Sequence, residues 1–299
     1  MTAQRRSEPA FARANGIELC YDTFGDAGAP PILLIMGLAA QMIAWDEEFC
    51  AGLASRGFRV IRFDNRDIGR STWFDSAGMP DVAAAYAAAM QGQPVAAPYL
   101  LSDMADDAIG LLDALGIESA HVVGASMGGA IGQTLAINHA SRLRTLTSIM
   151  ATSGARGLPP PTAEAMAVLF KPTPTEEPAF IESYRQTWNV LRAGSFALDE
   201  ARDGSRARQI FARGLNPAGV ARQFVAILAS GSRKGALAEV RVPTLVIHGD
   251  ADPLVPLACG VDTAESIPDA RLLVIEGMGH ALPITMWPRI TAAIAGHAA

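Results

Sequence analysis

Short apolar runs rich in β-branched residues recur along the chain, separated by longer stretches in which apolar residues return every third or fourth position. Between Ile17 and Gly154, residues 17–24, 32–36, 59–63, 121–123 and 145–150 predict strands, and residues 45–56, 101–115 and 127–138 predict helices between them. In the 101–115 segment, Met104, Ala108, Leu111, Leu112 and Leu115 fall at i, i+4, i+7, i+8 and i+11, one stripe of a helix that packs on a sheet. Asp103, Asp106 and Asp107 sit in its first turns, where the helix dipole favours acidic residues. Strands alternating with amphipathic helices are the pattern of a mostly parallel sheet with helices on both faces.

The pattern changes after Gly154. Pro159, Pro160, Pro161, Pro172, Pro174 and Pro178 interrupt the next stretch, and helical periodicity without strands follows. After Val242 the alternation returns, with strands predicted at 243–248 and 272–275 and helices at 257–266 and 287–294. The expected architecture is therefore α/β: residues 1–155 and 240–299 form the core, and residues 156–239 form an inserted helical cap. An alanine-rich stretch flanked by Pro80 and Pro94 adds a smaller insertion near residues 78–98.

Composition narrows the function. A chain of 299 residues, 50% hydrophobic and 18% charged, has ample material for a core without a disulfide or structural metal. Its net charge of −6 argues against nucleic acid as a partner, because phosphate binding needs clustered Lys and Arg. Cys20, Cys50 and Cys259 are few, odd in number and far apart, so they read as buried apolar residues in a reducing compartment. The apolar run at 32–40 is too short to cross a membrane, and no apolar stretch follows Arg5 and Arg6 at the start of the chain. These features lead us to expect an unprocessed cytoplasmic protein with no membrane partner.

The sharpest chemical signal is H-V-V-G-A-S-M-G-G at residues 121–129, a strand running through G-x-S-x-G into a helix. Such a turn needs Gly124 and Gly128 to lack side chains, and it exposes Ser126 above the sheet as a candidate nucleophile. A serine hydroxyl requires a base, an orienting acid and an oxyanion site. Among the five histidines, His121 begins a strand, His139 ends a helix, His248 closes a strand and His297 lies near the end of the chain. His280 is different, since it follows a strand in the glycine-loosened E-G-M-G-H-A-L-P and is selected as the base. The loop G-D-A-D-P-L-V-P offers Asp252 as the acid and Asp250 as the fallback, the latter read as a loop-capping side chain. The strand after the serine helix, followed by A-T-S-G, supplies no carboxylate, which favours Asp252. The oxyanion donors are expected to be the backbone N–H groups of Met127, after the serine, and Leu38, in the loop after an early strand. This set needs neither cofactor nor metal. Asp64, Arg66 and Asp67 are read as a salt-bridged structural loop. Phe170, Trp188, Phe196 and Phe211, with Met42 and Trp45, either line an apolar pocket or pack the cap.

With those residues in place, the chain resembles the α/β-hydrolase superfamily from Gly16 onward. The segments F-D-N-R-D-I-G-R-S-T, G-A-S-M-G, V-P-T-L-V-I with D-P-L-V-P, and E-G-M-G-H-A-L-P are similar to serine esterases of the aclacinomycin methylesterase type. That type shares the Met36-Gly37 pair where many relatives carry His-Gly. The resemblance implies a Ser126, Asp252, His280 triad with Leu38 and Met127 as oxyanion donors, acting on a small-molecule ester. A lactonase or a carbon-carbon bond hydrolase would use the same residues on another carbonyl. A receptor that binds a small ligand without turning it over is the reading of a different class. Serine rather than aspartate at the turn disfavours the dehalogenase and epoxide hydrolase chemistries of this fold.

Overall fold

The computed structural model describes residues 6–194, 196–197 and 199–299. Eight strands form one sheet: β1 (Ala10–Ala14), β2 (Ile17–Phe24), β3 (Pro31–Ile35), β4 (Arg59–Phe63), β5 (Ala120–Ala125), β6 (Leu143–Ile149), β7 (Thr244–Gly249) and β8 (Arg271–Ile275). Their order is β1-β2-β4-β3-β5-β6-β7-β8, with β1 and β2 antiparallel and the strands from β4 to β8 parallel. β1 was not among the expected strands: its sequence A-F-A-R-A has little β-branched character and only two of its five residues are buried. It forms because an Asn15-Gly16 turn, both residues at positive φ, folds it back on β2.

Helices α1 (Glu47–Ala54), α2 (Val82–Met90), α3 (Leu101–Ala114) and α4 (Met127–Asn138) precede β6, and α5 (Ala163–Leu169), α6 (Glu177–Leu191), α7 (Glu200–Arg213), α8 (Pro217–Ser230) and α9 (Lys234–Leu237) lie between β6 and β7. Helix α10 (Leu257–Ser266) joins β7 to β8, and α11 (Trp287–His297) closes the chain. The period-two pleat divides the sheet's side chains between two cores. Leu33 and Ile35 of β3 face Met104, Ala108 and Leu111 of α3 and Ile131 and Leu135 of α4. Ile32 and Leu34 face Phe49 and Leu53 of α1 and Ile290 and Ile294 of α11. A third cluster joins α6 and α7 to the loop after β3, through Phe180, Ala207, Ile210, Met42 and Ile43.

The helix ends explain where the segment between β6 and β7 starts and stops its turns. Thr162, Asp199 and Asn216 accept N–H groups at the first turns of α5, α7 and α8, and Pro217 occupies the first position of α8, where its missing N–H costs nothing. The placement of β3 between β4 and β5 matters most for function. Connections leave these neighbours in opposite directions across the sheet, which opens a crevice at the carboxyl ends of β3 and β5.

Candidate active site

Ser126 stands at that crevice, between the end of β5 and the start of α4, with φ 55° and ψ −121°. A non-glycine residue in this region is strained by roughly 1–3 kcal/mol, and the surroundings leave it no alternative. Its N–H donates to the Ile149 carbonyl at 2.9 Å. A Cβ at Gly124 would overlap the Gly128 backbone, and one at Gly128 would overlap the Ile35 carbonyl. The two motif glycines are thus a requirement of close backbone packing, and the serine is the residue left projecting.

The Ser126 hydroxyl lies 2.9 Å from His280 Nε2, and His280 Nδ1 lies 2.8 Å from Asp252 Oδ2. An ionised carboxylate can only accept, so Nδ1 carries the proton and Nε2 is left to accept from the serine. Asp252 is fixed in turn: its Oδ1 accepts the N–H groups of Leu254 and Val255 at 2.9 and 2.8 Å. The structure therefore brings together the three side chains expected to share a site, although they lie 154 and 28 positions apart in pairs. Asp250 points elsewhere and accepts the Gly277 N–H at 2.6 Å, bracing the turn before His280. The remaining histidines are engaged otherwise. His121 contacts Thr145 Oγ1, His139 pairs with Asp106, and His297 reaches the Leu146 and Pro243 carbonyls. His248 donates Nε2–H to the Val255 carbonyl at 2.7 Å, and burial holds its pKa below the ordinary value, so it sits neutral behind the Asp252 loop.

The expected oxyanion donors are on the two loops that meet at Ser126. Met127 opens α4, where the first N–H groups have no intrahelical acceptor. Leu38 follows Gly37, and a Cβ on Gly37 would stand 3.0 Å from Ser126 Cβ and 3.4 Å from its hydroxyl. That loop consequently runs against the serine itself.

A narrow cleft, open to solvent, is lined by Met36, Met150, Trp45, Trp188, Arg192, Arg206 and Trp287 among others. Met36 and Met150 are the residues next to Gly37 and Ile149, whose backbones both meet Ser126. Its arginines are paired: Arg192 holds Asp203 through two bonds of 2.5 and 2.6 Å, and Arg206 and Arg202 share Asp46. Of the aromatic residues proposed from sequence as pocket or packing, Trp45 and Trp188 line this cleft and Phe196 lines the neighbouring one. Phe170 packs edge-on against Tyr86 and Phe224, while Phe211 and Met42 belong to the third core cluster. Met36, Met150 and Trp287 were not foreseen. Their signal was positional for the two methionines, which directly follow β3 and β6, and there was none for Trp287.

The charged loop after β4 is a buried ionic framework. Asp64 pairs with Arg213, Arg66 with Asp107 at 2.6 and 2.7 Å, and Asp67 with Arg222 at 2.8 and 2.7 Å. Asp107 is thus more than a dipole-compensating residue of α3, as its sequence position had suggested.

An α/β-hydrolase fold model matches residues 30–285 of the chain. The chain belongs to the α/β-hydrolase fold family. As a member it is a hydrolase, and the sheet order and the strand-serine-helix turn are those of this α/β-hydrolase. It is 32% identical to rhodomycin D methylesterase DauP of Streptomyces sp. strain C5, across 94% of this chain and 95% of that protein. It is 32% identical to rhodomycin D methylesterase DnrP of Streptomyces peucetius, again across 94% and 95%. An esterase of Exiguobacterium antarcticum shares the fold with a TM-score of 0.76 at 20% identity, over 97% of this chain and 99% of that one. No helix among the described residues is long and apolar enough to cross a membrane.

Proposed function

We propose that this α/β-hydrolase cleaves uncharged carboxylic esters through an acyl-enzyme on Ser126, with His280 as general base and Asp252 orienting it. One observation carries the reading, the unbroken relay from the Ser126 hydroxyl to His280 at 2.9 Å and from His280 to Asp252 at 2.8 Å. Ser126 Oγ attacks the ester carbonyl as its proton passes to His280 Nε2. The Leu38 and Met127 N–H groups hold the oxyanion, and collapse of the tetrahedral intermediate expels the alcohol, which takes the proton back from Nε2. Water, deprotonated by the same nitrogen, then releases the acid and regenerates Ser126. Asp252 keeps Nδ1 protonated and stabilises the imidazolium without taking the proton itself.

Helices α5 to α9 act as the cap, with residues 1–155 and 240–299 as the core that holds the triad. The pairing of Arg192 and Arg206 with carboxylates leaves the cleft, among the described residues, without a free cation, which suits a neutral substrate better than an anionic one. Its tryptophans favour a ring-bearing group. Because the 32% identical relatives are methylesterases, methyl esters of ring-bearing carboxylic acids are the first substrates to assay. Three buried, unpaired cysteines fit a cytoplasmic setting. Ser126→Ala should lower kcat on p-nitrophenyl esters by at least about 10⁴-fold in a folded protein. A fluorophosphonate should give a single adduct, mapped to Ser126 by mass spectrometry. Unchanged turnover by Ser126→Ala, or no adduct on folded wild-type protein, would refute the assignment.

A further inference from the structure

The loop that carries Leu38 is unusual in its backbone. Ala39 has φ +64°, a conformation that costs a residue with a Cβ of the order of 1 kcal/mol or more; the Ala40 N–H closes the turn from within on the Gly37 carbonyl at 3.3 Å, and a second hold comes from outside the loop. The holder is Gln223 of α8. Its side chain is fully buried, its Oε1 accepts the Ala39 N–H at 3.2 Å, and its Nε2 donates to the Arg66 carbonyl at 2.8 Å. The two partners fix the amide's orientation, since one can only donate and the other only accept. The neighbouring residue anchors the helix that presents it: Arg222 is also fully buried and grips Asp67 through two bonds. On the other side of the loop, Asn65 Nδ2 donates to the Met36 carbonyl at 2.9 Å and Asp64 accepts the Met42 N–H at 2.7 Å. The Gln41 side chain adds bonds to the Ile210 and Gly214 carbonyls and to Arg213, so the segment from Met36 to Met42 is tied along its length, and the tie nearest Leu38 comes from a helix between β6 and β7.

We propose that Gln223 is a positioning residue that fixes the Leu38 oxyanion donor. The Ala39 N–H belongs to the peptide that joins Leu38 to Ala39. Clamping that peptide in the strained conformation leaves the Leu38 N–H on the far side of the same residue, on the stretch of loop that packs against Ser126 through Gly37. Without the clamp the peptide is free to relax to negative φ at Ala39 and rotate the donor away. Such a role acts on the tetrahedral state, in which charge sits on the carbonyl oxygen, and leaves ground-state binding nearly unchanged.

The inference rests on Ser126 being the nucleophile, so Ser126→Ala is measured alongside and tests that reading by itself. Two variants, Gln223→Met, which preserves volume, and Gln223→Asn, which is too short to span both partners, remove the clamp. In each variant that retains the wild-type circular dichroism, kcat for p-nitrophenyl acetate should fall about tenfold or more, short of the 10²–10³-fold loss of a donor outright. KM should stay within about twofold, and the inhibition constant of a boronic acid that forms a tetrahedral adduct on serine should rise in step with the loss in kcat. Gln223→Glu, which keeps an acceptor for the Ala39 N–H, should recover most of both. Wild-type kcat and boronate affinity in folded Gln223→Met and Gln223→Asn would overturn the proposal. So would equal damage in Gln223→Glu, because the effect would then run through the Arg66 carbonyl. Full turnover by Ser126→Ala would instead overturn the nucleophile, and with it the oxyanion role that Gln223 is proposed to support.

Discussion

Two aspartates two positions apart, Asp250 and Asp252, show how a site is specified atom by atom. Both accept backbone N–H groups in the same stretch of structure, but only Asp252 turns its second oxygen to an imidazole. Asp252→Asn replaces an acceptor-only group by one that can donate, and in the proposed triad this favours the wrong tautomer of His280. The variant should lose kcat on the order of 10⁴-fold while remaining folded. Asp250→Asn keeps an oxygen for the Gly277 N–H and should change kcat by less than about threefold. Steady-state kinetics of the two variants check the assignment, and a reversed order would move the acid to Asp250. Much of this constellation was legible in sequence because its chemistry is tied to local motifs: a strand-serine-helix turn, a glycine-flanked histidine and a carboxylate loop after a strand. What was hidden is the set of groups that hold those motifs still. Gln223 and Asn65 carry no local signature, and their importance lies wholly in which distant carbonyl or N–H they meet.

At the level of elements, the end of α6 is built into the loop that bears His280. The His280 N–H donates to the Leu191 carbonyl at 2.7 Å, and a Cβ on Gly279 would lie 2.5 Å from that carbonyl and 2.6 Å from the Arg192 carbonyl carbon. Arg192 then ties α6 to Asp203 of α7, whose Arg202 and Arg206 reach Asp46 beside α1. The helical segment therefore bears directly on the loop that carries His280, the proposed base. Gly279→Ala should displace the His280 loop by a fraction of an ångström to an ångström, and misplacement on that scale costs up to about 10²-fold in kcat. Gly296→Ala, where an added methyl meets nothing within 4 Å, should leave kcat unchanged. Equal activity of the two variants would show that α6 does not set the histidine. The parallel strands and their helices were readable because the strands from β3 to β7 bury nearly continuous runs and the edge strand β8 still carries an apolar one, L-L-V-I. The contact between α6 and the β8 loop was not, since it is made by backbone atoms that any sequence would supply, and only the absence of a side chain at Gly279 marks it.

For the whole molecule, the buried histidines set a direction for stability against pH. Burial, with the nearby Arg144 and His297 charges, lowers the His121 pKa to about 4, and burial lowers that of His248 as well. Both are neutral in the folded state and free to protonate once unfolded, near pH 6.5. Between those values the unfolded chain binds more protons than the folded one, so stability is full above about pH 6.5 and is lost as pH falls toward 4. Each such histidine contributes a slope of up to about 1.4 kcal/mol per pH unit inside its window. Burial pushes Asp64 and Asp107 the other way, raising their pKa, so the folded state takes up their protons first and offsets part of the loss just above the ordinary carboxylate range. A single substitution separates the terms. His121 contacts the Thr145 hydroxyl and the edge of Phe58, and His121→Asn retains a polar group there while removing the titration. Urea unfolding at intervals from pH 7.5 to 4.5 should show wild type and variant separated by a constant difference above about pH 7. Below pH 6.5 the wild type should lose stability faster and close the gap or cross it. Parallel curves across the whole range would mean that His121 accepts its proton in the folded state after all.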